Sequence, residues 1–206
     1  MGLDLENLLV DTVETMRSRF YGKYRGLVVD VEDPLKMGRV MAQVPEVFEN
    51  VNAPWAVPCV PFAGSRHGFV VLPEVGDGVW IEFEAGDISR PVWTGCWWGE
   101  GELPDPGGTQ TRVLVTTLGH KVILDDLKKE IRILHYANGE IVMKDDDITL
   151  TIGDSETKWT REEITLKVKQ SVITVNADEI ILESGTGKIK LSVSGVDVNN
   201  GAIKVT

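Results

Sequence analysis

The chain has 206 residues, 42% of them apolar, 21 glycines and a formal net charge of −11. That length allows one ordinary domain plus a smaller element, and the acidic balance argues against a partner rich in phosphate, nucleic acid above all. Two cysteines (Cys59, Cys96) and three scattered histidines (His67, His120, His135) offer no metal-ligand spacing, so the cysteines read as buried strand thiols and no metal or other cofactor is expected.

No charged-then-apolar signal opens the chain, and no apolar run approaches the roughly 20 residues of a membrane helix, so synthesis in the cytoplasm is expected. Residues 3–20, "LDLENLLVDTVETMRSRF", have helical spacing, with Leu5, Leu8, Leu9, Val13 and Met16 near one stripe and Asp4 as a possible cap. An isolated helix this short is marginal in water, so the stripe docks either on its own domain or on a partner.

Residues 24–100 read as a compact β domain. "YRGLVVDVED" is a strand ending in a turn on Pro34 and Gly38, and "VMAQVPEVF" alternates until Pro45 breaks it. "WAVPCVPFAG" suits an irregular edge strand because of its prolines. "HGFVVLPEVGDGVWIEFEAGD" reads as two strands joined through "PEVGDG", and "RPVWTGCWW" as a last strand. About five strands in this length fit a small closed barrel of the OB type.

A Gly- and Pro-rich linker, "GELPDPGGTQ" (101–110), separates this domain from a different texture. Short strands with brief separators fill 111–152, a polar stretch follows at 153–163, and then repeats run to the end. Aligned on their first apolar residue, Ile141, Ile148, Ile164, Val172, Ile180, Ile189, Val196 and Ile203 fall in register, and after Ile164 the steps are seven to nine residues. Apolar and polar residues alternate within most repeats, giving one dry face and one wet face. "VITV" and "IILE" are apolar on adjacent positions, which leaves their inward face open by one residue.

Strands of four or five residues cannot enclose a core alone, and a fixed period points to stacking along an axis. Two arrangements satisfy the pattern. One is an antiparallel meander, with "ESGTGK" and "VNNG" as hairpins. The other is an intertwined trimer whose apolar faces meet on the axis, which explains why the strands stay short. Its core would be Ile164, Leu166, Val168, Ile189, Leu191, Val193, Val196, Val198, Ile203 and Val205, in a rod on the order of 30 Å long.

The sequence resembles the central spike of contractile injection machines: phage baseplate assembly protein V and the spike part of VgrG proteins. "GLVVDVEDPLKMGRVMAQVPEV" (26–47) matches the opening pattern of strand, Asp-Pro turn, Gly-Arg and strand. "WAVPCVPFAGSRHGFVVLPEVGDGVWIEFEAGDISRPVWTGCWW" (55–98) matches the second: Trp-Ala, Ala-Gly, Gly-Phe, Leu-Pro-Glu-Val-Gly-Asp, Phe-Glu-x-Gly-Asp, Arg-Pro and Gly. The resemblance implies an all-β homotrimer: an N-terminal helix (1–23), an OB-fold (24–100), a linker and transition β-region (101–160) and a triple-stranded β-helix (161–206). It implies a structural part rather than an enzyme, seated on a baseplate hub protein and touching the target membrane only during puncture. It implies assembly in the bacterial cytoplasm into a virion tail or an extracellular injection particle. A PAAR-type tip protein would contact Asn199, Asn200, Gly201, Ala202, Ile203, Lys204, Val205 and Thr206. No long hub domain precedes the barrel and no lysozyme-like insert follows it, so the hub is expected as a separate protein. With no histidine after His135, an axial iron held by a terminal His-x-His pair is not expected.

Several motifs carry chemical readings that plainer ones outweigh. "PEVGDG" lacks both the lysine of a phosphate loop and a series of oxygen ligands. Asp145, Asp146 and Asp147 read as solvated charge. "WTGCWW" reads as core and interface aromatics rather than a stacking platform. Ser65, His67 and Asp77 show no sign of a base oriented by a third group. The competing functions are an OB-fold module for oligosaccharide or single-stranded nucleic acid on a β-helical stalk, and a polysaccharide enzyme or adhesin with clustered carboxylates.

Overall fold

In a computed structural model the described residues are 7–10, 12–14 and 18–205. The chain divides into two compact units, 1–103 and 104–206, and both are built from strands. Leu5 and Met16 of the expected helical stripe lie outside the described residues. Residues 7–10 and 12–14 are helical, and Leu8, Leu9 and Val13 are exposed.

The first unit holds β1 (Tyr24–Asp30), β2 (Met41–Gln43), β3 (Val57–Pro58), β4 (Ala63–Gly64), β5 (His67–Gly68), β6 (Gly78–Phe83) and β7 (Pro91–Trp97). Five of them form a sheet in the order β2-β1-β6-β7-β3, antiparallel except for the β3–β7 pair. Val40 and Ala56 exchange backbone hydrogen bonds of 3.1 and 2.8 Å, which brings the two ends of the sheet together. Alternation fills the interior: β6 buries Val79, Ile81 and Phe83, and Val28, Val40, Ala42, Val44 and Trp93 close around them. A Cβ on Gly78 would lie 2.4 Å from the Trp97 ring, so the ring covers this strand only because glycine is there.

One expectation is extended and two are corrected. Pro45 does end the second strand, but it also opens a single helical turn, Pro45–Phe48, at the position where a missing N–H costs nothing. "FVVL" is not a barrel strand. Ala63–Gly64 and His67–Gly68 form a separate two-stranded flap, and Phe69, Val70 and Val71 stand exposed behind it. Cys59 and Cys96 are likewise exposed rather than buried.

The second unit is one sheet of sequential antiparallel strands. They are β8 (Thr111–Val115), β9 (Lys121–Asp125), β10 (Glu130–Leu134), β11 (Gly139–Met143), β12 (Asp147–Ile152), β13 (Ser155–Thr160), β14 (Glu163–Val168), β15 (Ser171–Asn176), β16 (Glu179–Ser184), β17 (Gly187–Ser192), β18 (Gly195–Val198) and β19 (Ile203–Val205). Each pairs with its sequence neighbours, so twelve strands make a ladder about 50 Å long at the usual strand spacing. The stretch 153–163 does not interrupt it. Its threonines and Trp159 suit a strand, and Ser155–Thr160 pairs on both sides. "ESGTGK" and "VNNG" are hairpin turns, with Gly185 at φ 58° and Asn199, Asn200 and Gly201 all at positive φ.

Candidate functional site

Cross-strand register decides which side chains share a face of this ladder. Leu114 opposes Val122, Val122 opposes Ile133, Ile133 opposes Ile141 and Ile141 opposes Leu150. The row continues through Thr157, Leu166, Ile173, Leu182, Ile189, Val198 and Ile203. Beside it runs a second row: Leu124, Ile131, Met143, Ile148, Trp159, Ile164, Val175, Ile180, Leu191 and Val196. Together they make an apolar stripe along the whole unit.

One chain leaves that stripe uncovered. Leu166 is 41% exposed, Leu191 40%, Ile189 39% and Trp159 54%. Completing the burial of such a side chain is worth on the order of 1 kcal/mol, repeated at every rung. A depression of about 500 Å³ lined by Leu166, Ile173, Leu182 and Ile189 lies on this face.

The opposite face mixes paired charges with a few apolar side chains, among them the buried Ile123, with Val142, Val172 and Ile181. Arg132 and Glu140 pair at 2.7 Å, Lys158 and Asp147 at 3.3 Å, and Lys188 and Glu183 at 2.7 Å, while Lys190 pairs with Glu179. Glu183 directly opposes Lys188, and the carboxylate beside it raises the lysine pKa above its ordinary value. These exposed pairs add little stability. They keep this face wet, and so distinguish it from the other.

The expected core residues Ile164, Leu166, Val168, Ile189, Leu191, Val196 and Val198 lie on the apolar face by register. Ile203 opposes Val198, and Val205 opposes Val196. Val193 stands apart, fully exposed in the turn between β17 and β18. In the two ambiguous repeats the register selects Ile173 and Val175, and Ile180 and Leu182. Val172, used above to align the repeats, falls on the charged side opposite Lys167 and Glu183. Ile141 and Ile148 are already in register with the repeats; the sequence reading missed that β8–β10 and β13 continue the same stripe, and counting alternate residues outward from each turn would have found them. Of the expected tip contacts, Asn199, Asn200, Gly201 and Ala202 form the last turn and Ile203 opens β19. Lys204 and Val205 are described by backbone alone, and Thr206 lies outside the described residues.

In the first unit the motifs serve the backbone. Asp33 accepts hydrogen bonds from the N–H groups of Leu35 (3.0 Å), Met37 (2.7 Å) and Arg39 (3.3 Å) and from the Arg39 guanidinium (Nε, 3.0 Å). Arg39 also lies over the Trp55 ring at 5.6 Å, and the Gly38 carbonyl, at φ 74°, accepts from the Trp93 indole at 3.2 Å. The Arg39 guanidinium first, and these backbone donors after it, hold the Asp33 carboxyl well below the usual carboxylate range, against burial that pushes it up. The sign follows from that direction. A carboxyl lowered on folding stabilises the fold above its unfolded pKa of about 4 and loses that contribution as pH falls below it. Asp33→Asn is expected to lower the barrel's melting temperature at pH 7 and to flatten its further fall between about pH 4 and pH 2.5. Melting curves of both proteins at those pH values check it.

Asp77 binds the Glu74 N–H at 2.7 Å and ties the "PEVGDG" turn to β1, and His67 Nδ1 meets the Ser65 carbonyl, so Ser65, His67 and Asp77 are not brought together as a triad. Trp93 is core, and Trp97 stacks with Arg25 at 5.0 Å and donates to the Val79 carbonyl at 3.2 Å. Among the described residues no group of three or more His, Cys, Asp or Glu side chains is placed to hold a metal ion.

Comparison with known families agrees with this geometry. Residues 24–98 match the type VI secretion system/phage-baseplate injector OB domain, and residues 140–204 match the phage baseplate V C-terminal trimerisation domain. No curated protein matches the chain. The first match covers the barrel, and the second covers a stripe that one chain leaves exposed and three copies can cover. With both domains present in this order, the chain belongs to the phage baseplate V family and is a homotrimeric baseplate spike protein.

Proposed function

We propose that the trimer sits on the baseplate hub and leads the tail tube through the target envelope, acting mechanically rather than by catalysis. The continuous uncovered stripe opposite a charge-paired face carries this reading. Three such sheets, apolar faces inward, give a rod with a dry axis and a wet surface. Its core would be Ile164, Leu166, Val168, Ile189, Leu191, Val196, Val198, Ile203 and Val205, extended by the same rows back to Leu114. Backbone hydrogen bonds run along the rod within each chain and side-chain burial runs between chains, so the meander and the trimer are complementary descriptions. Bending such a rod requires breaking both. The last turn and the free edge of β19 form the end offered to a PAAR-type tip protein. Assembly takes place in the bacterial cytoplasm, before the particle is released or fired.

Solution mass with and without residues 104–206, the whole ladder, tests the architecture. The full chain is expected at three times the protomer mass and the shortened chain at one. Particles carrying the shortened spike should contract yet fail to permeabilise target cells. A shortened chain that remains a stable trimer, or particles that still permeabilise, would count against the proposal.

A further inference from the structure

The first unit carries a second pair of uncovered apolar surfaces. The helical residues Leu8, Leu9, Val10 and Val13 are 63%, 57%, 55% and 45% exposed on their own chain. Elsewhere on the unit, the flap bounds a groove of about 760 Å³, lined by Phe62, Phe69, Val70 and Leu72 with Lys36 and Arg66 among its charged residues. Val70 is 80% exposed and Phe62 58%, an unusual display of large apolar side chains at one place. The volume falls in the range of grooves that accept an apolar ligand or helix face.

We propose that the N-terminal helix of one copy docks in the flap groove of the next copy around the three-fold axis. This rests on the homotrimeric assembly assigned above. A three-fold interface is heterologous, joining two different patches, and the unit presents two different uncovered patches. Charge favours the match. Segment 3–14 carries Asp4, Glu6, Asp11 and Glu14 and no lysine or arginine. At the groove, Lys36 and Arg66 have no carboxylate partner among the described residues, and Asp33 is committed to Arg39, leaving Glu32 as the opposing charge.

Within one chain the segment leaves the groove uncovered: Leu8, Leu9, Val10 and Val13, and Phe62, Phe69 and Val70 of the groove, are all exposed. The segment is fastened at Phe20, whose N–H bonds the Gly86 carbonyl at 2.9 Å and whose ring meets Tyr24 and Phe83. Leu9 precedes that anchor by eleven residues, about 16 Å even at helical rise. A bundle of the three helices with each other fits less well. Heptad spacing through Leu5, Leu9 and Met16 places Thr12 in the seam, and three acidic segments would repel.

Photo-crosslinking tests this in the full chain, with p-benzoylphenylalanine in place of Leu9 and native mass spectrometry on the same sample. The expected result is a trimer whose crosslinks join that position to residues 58–72 of a different chain. Their yield should fall roughly ten-fold when Val70→Asp or Arg66→Glu is added, as for a loss of affinity of that size. A trimer whose crosslinks stay within one chain, join two N-terminal segments or fail to form overturns the docking and leaves the spike intact. A monomer overturns both.

Discussion

Leu191→Asp is expected to turn the trimer into monomers, while Ser192→Asp, one residue along the same strand, is expected to leave it trimeric. The two changes add the same charge to β17. They differ only in face: Leu191 lies opposite Ile180 and Val196 in the apolar stripe, and Ser192 lies opposite Glu179 and Gly195. In the closed rod three carboxylates would be buried at one level without partners. Each would cost several kcal/mol, or take up a proton to avoid it. Light scattering at micromolar concentration reads the outcome directly. A soluble, heat-resistant Leu191→Asp trimer would remove the buried axis, and equal disruption by both changes would remove the two-faced sheet.

The second large effect belongs to the barrel. Ile81 is fully buried in β6, its side chain 3.3 Å from the position a Cβ would take on Gly26. Truncation to alanine in such a site costs about 2–5 kcal/mol. For a domain of this size that lowers the melting temperature by roughly 10–40 °C. The barrel core draws on no residue beyond Trp93, so the trimer mass should survive the barrel's unfolding. Calorimetry with light scattering on Ile81→Ala should show one transition displaced and the oligomer retained until a later one. Loss of the trimer at the displaced transition would mean that the barrel, not the ladder, holds the chains together.

Local chemistry made much of this fold readable. The Asp33-Pro34 and Gly38-Arg39 turn, the alternation of Val79, Ile81 and Phe83, and the repeat after Ile164 each contain the physical cause of the structure they form. The errors also have causes. "FVVL" reads as a buried strand because a run of apolar residues signals burial without saying what provides the cover. Residues 153–163 read as a break because serine, threonine and charged residues look like a loop until their partners are known, and one tryptophan is a weak signal. The face of Val172 stayed open because two adjacent apolar residues leave the phase undecided, and only pairing of Leu166 with Ile173 closes it. The stripe was half legible from periodicity; its extension back to Leu114 required the register across every hairpin.

The strictly sequential pairing of the ladder gives the protein an adjustable ruler. Removing or duplicating one hairpin, two strands at a time, preserves strand direction and keeps every later side chain on its proper side, whereas a single-strand change would reverse the chain's course. The ladder can therefore be lengthened or shortened in quanta of about 10 Å without redesigning either of its ends.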